Sequence, residues 1–357
     1  MGLVEENGNT TRIVHASAPV RICDVGGWTD TWFAGHGKVF NIGVRPGVEV
    51  EVRVHGLGSL PGRVVLDAVD FGDRYAFEPG TLPGRHPLLE ATIDEIGVPA
   101  DASVEIALSS GVPAGSATGT SASVTVALVA ALDALTPGQL TNREIASTAH
   151  AIEVDRLGRQ SGVQDQLCAA FGGVNVIEVP TYPRAYVTQL TVPDTVWSEL
   201  DRRLVVMYLG HAHVSSEVHD RVAAAMTEAG GGSPQLDVLR RCAEWARDAV
   251  LAADFSALGR AMVRNTVAQG DLHPGLVGRE AQAAFDVAAA YGAEGWKVNG
   301  AGGDGGSITV LCGPDPGARR RMLEALCDVD PRFEILPVRL SRDGVRVWEA
   351  APTAHPA

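Results

Sequence analysis

The chain has 357 residues, 45% of them hydrophobic and 20% charged, which are the proportions of a folded globular protein with length enough for two domains. Its 29 Lys and Arg against 43 Asp and Glu leave a net charge of −14, which argues against a surface built for nucleic acid or anionic membrane while still allowing a local basic pocket. Five cysteines, odd in number and without a CxxC pair, argue against a disulfide framework or a zinc ribbon. The polar, acidic first eleven residues and the lack of any run near 18 apolar residues predict neither a secretion signal nor a membrane span, so the expectation is a soluble, cytoplasmic protein.

In chain order, the first seventy residues read as strands. Val48 to Val54 alternates strictly, the mark of a sheet with one wet face, and Arg63 to Val69 is expected as its antiparallel neighbour. Val104 to Leu108 repeats the period of two and runs into a loop rich in Gly, Ser and Thr, then into Ala122 to Leu135, apolar on every side and so a helix buried in a core. Thr141 with Glu144 three residues on forms a capping box for the next helix, whose apolar face is Ile145, Ala149 and Ile152 and which Gly158 can stop. A short helix over Val163 to Phe171 ends at Gly172 and Gly173, and Val174 to Val179 is a strand. Pro180 to Pro193 is the candidate boundary, dividing the chain into domains at 12–190 and 191–350. Beyond it a strand over Leu204 to Leu209 leads into helices near 216–229, 235–252, 255–268 and 279–291. Strands near 296–299, 307–312, 333–340 and 345–348 then surround a helix near 317–328. The whole reads as two α+β domains on mostly antiparallel sheets.

Three glycine-rich stretches carry the chemistry. The middle one, Pro113-Ala-Gly-Ser-Ala-Thr-Gly-Thr-Ser121, joins a strand to a helix N-terminus, whose unpaired N–H groups and dipole favour an anion. Gly115 and Gly119 let backbone approach a phosphate, and Ser116, Thr118, Thr120 and Ser121 supply hydroxyls; no lysine precedes the last hydroxyls as in a Walker loop. The alternative is a tight turn that merely enters a core helix. The last stretch, Gly300 to Gly306, contains a literal GxGxxG, but a strand rather than a helix follows it, so it reads as a loop laid over a ligand and not as a dinucleotide fingerprint. The first, Asp24-Val-Gly-Gly-Trp-Thr-Asp30, sets two carboxylates beside an aromatic ring, either a polyol site or a loop with surface acids. Glu153 lies towards the apolar side of its helix and needs a partner. Asp165 follows across a glycine-broken turn. Phosphoryl transfer needs one acid for Mg²⁺ and one near the accepting hydroxyl, though a hydrogen-bonded Asp at a helix start would look the same. The histidines of 211–219 read either as a metal cluster or as polar contacts to a substrate, and Arg264, Asn265 and His273 either face a cleft or bridge helices.

Taken together, the motifs Ala18-Pro-Val-Arg-Ile22, Pro113 to Ala122 and Lys297-Val-Asn-Gly-Ala-Gly-Gly-Asp-Gly-Gly306 resemble, in order, the three motifs of the GHMP kinase superfamily of small-molecule kinases. The likeness spans about residues 12 to 345. The continuation into Gly26-Gly-Trp-Thr-Asp30 is similar to the sugar-kinase branch, that is, to heptose 7-phosphate kinases and fucose-type sugar 1-kinases. The resemblance implies an α+β two-domain fold, an N-terminal ATP-binding domain and a C-terminal ferredoxin-like one, with the site in the cleft between them. It implies an ATP- and Mg²⁺-dependent kinase acting on a sugar hydroxyl, working as monomer or homodimer without nucleic acid or membrane.

The implied roles are these. Asp165 accepts or orients the sugar hydroxyl and Arg21 stabilises the transferring phosphoryl group. Pro113, Ala114, Gly115, Ser116, Ala117, Thr118, Gly119, Thr120 and Ser121 wrap the nucleotide, and Glu153 with Thr120 and Ser121 holds Mg²⁺. Gly27, Trp28, Asp30, Gly302, Gly303 and Asp304 meet the substrate. Two departures from the family pattern stand out: Thr118 replaces the usual Leu and makes the loop more polar, and Asp304 adds an acid expected to disfavour a phosphorylated substrate. A silent ATP- and sugar-binding sensor of the same fold, a heptose 7-phosphate 1-kinase proper and a histidine-metal hydrolase are the rival readings.

Overall fold

Val48, Val50 and Val52 are buried while Glu49 and Arg53 are exposed, as a period of two requires of a sheet with one dry face. The structure, a computed structural model, describes residues 10–136, 138–212, 216–229 and 232–350. Strands β1 (Thr10–Val25) and β2 (Gly37–Gly56) form a long antiparallel pair, followed by the hairpin of β3 (Val64–Ala68) and β4 (Asp73–Phe77), helix α1 (Pro87–Ile96) and β5 (Ala102–Ser110). Helices α2 (Thr120–Asp133) and α3 (Asn142–Ala151) come next. A π-helical turn, Ile152–Arg156, continues α3, and α4 (Gln164–Phe171) precedes the hairpin of β6 (Val174–Thr181) and β7 (Arg184–Gln189). The remainder is α5 (Asp194–Arg203), β8 (Leu204–Tyr208), α6 (Ser216–Ala229), α7 (Pro234–Leu251), α8 (Phe255–Leu272), α9 (Arg279–Ala290), β9 (Gly295–Val298), β10 (Ser307–Leu311), α10 (Pro316–Cys327), β11 (Glu334–Leu336), β12 (Arg339–Leu340) and β13 (Arg346–Ala350).

The described strands make two sheets. One runs β13-β1-β2-β5-β3-β4, with β6 and β12 also on β2 and β7 on β6; the other runs β11-β8-β10-β9 and is antiparallel throughout. The expected antiparallel neighbour of Val48 to Val54 is β5 rather than the 63–69 segment. Both edges of that part of β2 are taken by β1 and β5, so β3 sits beyond β5 and runs parallel to it. The single strand expected over 333–340 is two, because Pro337 offers no N–H for a continuous ladder: β11 joins the second sheet while β12 pairs with β2 in the first. With β13 on β1, the last strands return to the first sheet.

Helix α2 is buried from Ala122 to Leu132 at all but one position and packs on β1 and β2, which accounts for its lack of a polar face. The capping box is present: Thr141 Oγ1 accepts from Glu144 N at 3.3 Å, and Glu144 Oε2 accepts from Thr141 N at 2.8 Å. A second apolar cluster joins Val20, Ile22, Phe40 and Ile42 of the first sheet to α7, α8 and Val206 of the second, so the two sheets share a core at their seam. All five cysteines are free thiols, four of them buried. Among the described residues no helix is long and apolar enough to cross a membrane.

Candidate active site

Strand β1 carries Arg21 inward to the first turn of α4, where Asp165 meets it. Arg21 Nε donates to Asp165 Oδ1 at 2.8 Å and Nη2 donates to Oδ2 at 3.2 Å, a two-pronged pair. The guanidinium is 5% exposed and its Nη1 also donates to the Ala117 carbonyl. Burial pulls its pKa down, yet the charges of Asp165 and Asp24 more than offset this and the net shift is upward, so Arg21 is a fixed cation. Asp165 keeps about a quarter of its side chain accessible from the cleft.

The phosphate-type loop rests on this pair. Gly119, at φ +73°, is the residue before α2, and a Cβ there would lie 3.0 Å from the Asp165 carboxyl carbon; glycine alone permits both the left-handed turn and the close approach. No side chain caps the N-terminus of α2, so its first N–H groups are open to an anion. The loop's hydroxyls divide into two sets. Ser116 and Thr118 are buried and bond each other at 2.8 Å, with Thr118 Oγ1 in turn 3.2 Å from Thr120 Oγ1, so the added polarity of Thr118 is spent inside the loop. Ala114, Gly115, Thr120 and Ser121 face outward and line a cavity whose other walls include Asp70, Phe71, Arg85, His86 and Arg159. Pro113 accepts the Ser116 N–H and shapes the turn, and Ala117 takes a left-handed backbone at φ +57°.

On the other side of the Arg21–Asp165 pair lies a second cavity, lined by Trp28, Asp30, Thr31, Gln160 to Gly162, Gln164, Gly300 and Ala301. Trp28 holds φ +78°, a conformation that strains a bulky residue, and stands in the cavity wall with its ring packed near Phe33 in an apolar cluster. Asp30 accepts from Gln164 N at 3.0 Å, and Gly162 passes so near that a Cβ would sit 2.2 Å from Asp30 Oδ2. Burial, reinforced by the charges of Asp165 and Asp24, pushes the Asp30 carboxyl up to about 6 against the Gln164 N–H that opposes it. Gly27 stands behind this wall, between Asp24 and Gln164.

Asp24 does not line the cavity. It is fully buried and paired with Lys297 Nζ at 3.2 Å, and it accepts from Gly300 N at 3.0 Å. Asn299 Oδ1 accepts from Cys23 N and from Thr309 Oγ1, so the segment from β9 into the third glycine loop is tied to the first strand by the Lys297–Asp24 pair, the Cys23 N–H and the Gly300 N–H shared between the Asp24 oxygens. Gly302 and Gly303 pack on Leu276 and Val277 on the far side of that loop. Asp304 is exposed and lines a separate depression with His211, Arg279 and Arg332, away from the cavity. The added acid expected beside the substrate is therefore not part of this cavity's wall.

Glu153, 7% exposed at the π-helical turn, accepts from Gln166 Nε2 at 2.6 Å and Ser161 Oγ at 3.2 Å, both on Oε2. Burial raises its pKa, with the Asp165 charge adding to the shift. A single carboxylate with Oε1 left out of these bonds suits Mg²⁺ carried in on a nucleotide, which prefers one or two carboxylates with phosphates and water. Among the described residues no three His, Cys, Asp or Glu side chains group as a metal site. His213 lies outside the described residues, as does the side chain of His219. Asn265 Oδ1 accepts from Gly26 N at 2.7 Å and so fixes the Trp28 loop. His273 Nδ1 accepts from Gly275 N in a local turn, and Arg264 lines a groove between α7 and α8.

The model of the GHMP kinases N terminal domain matches residues 87–173, the span from α1 through the phosphate-type loop to Asp165 and α4. The fold matches Lactococcus lactis galactokinase complexed with galactose at a TM-score of 0.74 and 18% identity, over 96% of this chain and 97% of that one. It matches a D-glycero-D-manno-heptose 1-phosphate kinase from Bacteroides thetaiotaomicron at 0.73 and 22%, over 95% and 100%. Residues 87–173 thus match the GHMP kinase N-terminal domain, and the fold is that of GHMP kinases over nearly the whole chain. The chain is 25% identical over 242 residues to the D-glycero-alpha-D-manno-heptose 7-phosphate kinase of Campylobacter jejuni, covering 67% of this chain and 69% of that protein. It is 24% identical over 320 residues to the bifunctional fucokinase/GDP-fucose pyrophosphorylase of Arabidopsis thaliana, 82% of this chain but 29% of that longer protein. A mevalonate kinase of Methanothermobacter thermautotrophicus is 31% identical over 207 residues, 56% of this chain and 62% of that one. The α+β GHMP kinase fold with its two sheets is thus common to relatives named for sugars and for mevalonate.

Proposed function

We propose that this protein is a GHMP kinase that transfers the γ-phosphate of ATP to a hydroxyl of an unphosphorylated sugar. The observation that carries the reading is the Arg21–Asp165 pair, set between a polyol-type cavity and an open helix N-terminus. In the acceptor cavity, Trp28 offers a face for a sugar ring and Asp30 takes hydroxyl protons as a hydrogen-bond acceptor. Asp165 orients the accepting hydroxyl and takes its proton as the O–P bond forms, and Arg21 holds that carboxylate in place with its charge directed at the phosphoryl group in flight. The open N–H groups at α2, with Gly115 and the Thr120 and Ser121 hydroxyls, hold the phosphates in line. Glu153 and those hydroxyls would hold Mg²⁺, whose charge would offset the negative β- and γ-phosphates.

A sugar is favoured over mevalonate by the charge in the cavity. Arg21 is the one cation among its described lining residues and is already committed to Asp165, while Asp30 and Asp165 both repel an anion. The same argument disfavours an acceptor whose phosphate would enter this cavity. ADP release with Mg-ATP across fucose, arabinose, galactose, mannose, glucuronic acid, mevalonate and a heptose with and without its 7-phosphate tests this. Turnover with a neutral sugar, lost in Asp165→Asn, is the expected result; turnover confined to mevalonate or to the phosphorylated heptose would overturn the substrate assignment.

A further inference from the structure

The cavity behind the phosphate-type loop has three basic side chains in its wall, and they are not equivalent. Arg85 and His86 share one carboxylate: Arg85 pairs with Asp73 and lies over the Tyr75 ring at 4.3 Å, while His86 Nε2 is 3.0 Å from Asp73 Oδ2. Arg159 has no ion pair or hydrogen-bonded side-chain partner among the described residues, and it stands in the wall beside Ala114, Gly115, Thr120 and Ser121. What sets this arginine apart is its place: it flanks a loop that lacks the lysine a Walker motif would supply.

Its position is set by backbone rather than by chance. Gly158, at φ +64°, turns the chain just after the π-helical segment, and Arg159 N donates to the Glu153 carbonyl at 3.0 Å, which fixes the residue at the wall that holds the loop hydroxyls. Its charge reaches Glu153, where it opposes the upward shift caused by burial. We propose that Arg159 is a nucleotide-binding residue whose guanidinium grips the polyphosphate of the bound nucleotide. This rests on the kinase reading, and it adds to Arg21 a second cation on the donor side of the transfer. A guanidinium presents a planar fork that matches phosphate oxygens, so a lysine at this position would keep the charge and lose the fork.

The test is calorimetric binding of Mg-ATP and of inorganic tripolyphosphate to wild type, Arg159→Gln and Arg159→Lys, over a salt series, with melting of the nucleotide-free proteins alongside. Arg159→Gln is expected to weaken both ligands by about 10- to 100-fold, the range for a lost hydrogen bond to a charged group, and to flatten the salt dependence. Arg159→Lys should recover part of the loss. Because the side chain is exposed, the nucleotide-free melting temperature should not move, and the KM for the acceptor should stay within twofold. If wild type binds nucleotide and Arg159→Gln binds it equally well, the assignment of Arg159 falls and the kinase reading stands. If wild type binds no nucleotide, both fall together.

Discussion

The two cavities on either side of Asp165 are built by opposite means. The acceptor side is assembled from buried charges with assigned partners: Arg21 on Asp165, Lys297 on Asp24, and Asp30 on the Gln164 N–H. The proposed nucleotide side is lined by exposed groups such as Phe71, 67% accessible, and by Arg159, which has no ion pair among the described residues. Positioning to fractions of an ångström matters where a bond forms, and that is where the structure invests buried polar groups, which are unfavourable unless satisfied. A polyphosphate brings its own charge and needs attraction more than fixed geometry. On the proposed function, the difference teaches that substrate choice would reside in a rigid pocket, while nucleotide affinity would be carried by groups that solvent and salt can reach.

The strongest way to break this contrast is at its hinge point. Asp165→Asn should lower kcat by about 10²–10⁴-fold, the range for loss of a proton-accepting group, while Mg-ATP affinity stays within about twofold; single-turnover kinetics with direct nucleotide binding check both halves. Next is the buried pair. Lys297→Met strands the Asp24 carboxylate and should destabilise the protein by about 3–5 kcal/mol in urea unfolding, whereas Lys297→Met with Asp24→Asn should recover most of that. A loss in the double variant equal to that of the single would mean that the pair is not the reason.

Asp30 gives a smaller effect with a defined pH sign. Its folded pKa, about 6, is above the ordinary 3.8, so the folded state holds the proton more tightly and stability falls as pH rises from about 4 through 6. Asp30→Asn removes that term and should be more stable than wild type at pH 7 by an amount on the order of 2–3 kcal/mol, the advantage vanishing near pH 4; paired melting curves across that window decide it. Thr141→Ala, remote from both cavities, should cost about 1 kcal/mol through the lost cap and leave kcat unchanged, a baseline against which the other changes are read.

What the sequence disclosed was what neighbours in the chain determine. The Thr141–Glu144 box, the all-apolar α2 and the glycine-rich entry to it are local patterns, and each appears where the pattern put it. Pairing was illegible: the period of two in Arg63 to Val69 says that it is a strand and nothing about β5 lying between it and β2. Helices α1 and α5 were not foreseen. The polar α5 signals itself only through Val196 and Leu200, one turn apart. In the site, Arg21 and Asp165 were named through the family likeness, but the partner of Asp24 is a lysine near the far end of the chain, and no spacing rule connects them. Asp304 is a substrate contact by the resemblance because it sits in the third motif, and the structure sets it in a separate depression with His211 and Arg332.

The Lys297–Asp24 pair has one consequence for how ligands enter. It fastens β9 to β1, across the seam between the two sheets and beside their shared apolar core. Were the enzyme to rock its halves apart like a clamshell, every turnover would have to tear open a buried ion pair and let water into hydrocarbon. The traffic of substrate and product is thus expected to pass by the rims, over the exposed Gln160 and Phe71 at the mouths of the two cavities, with the seam itself remaining shut from one catalytic cycle to the next.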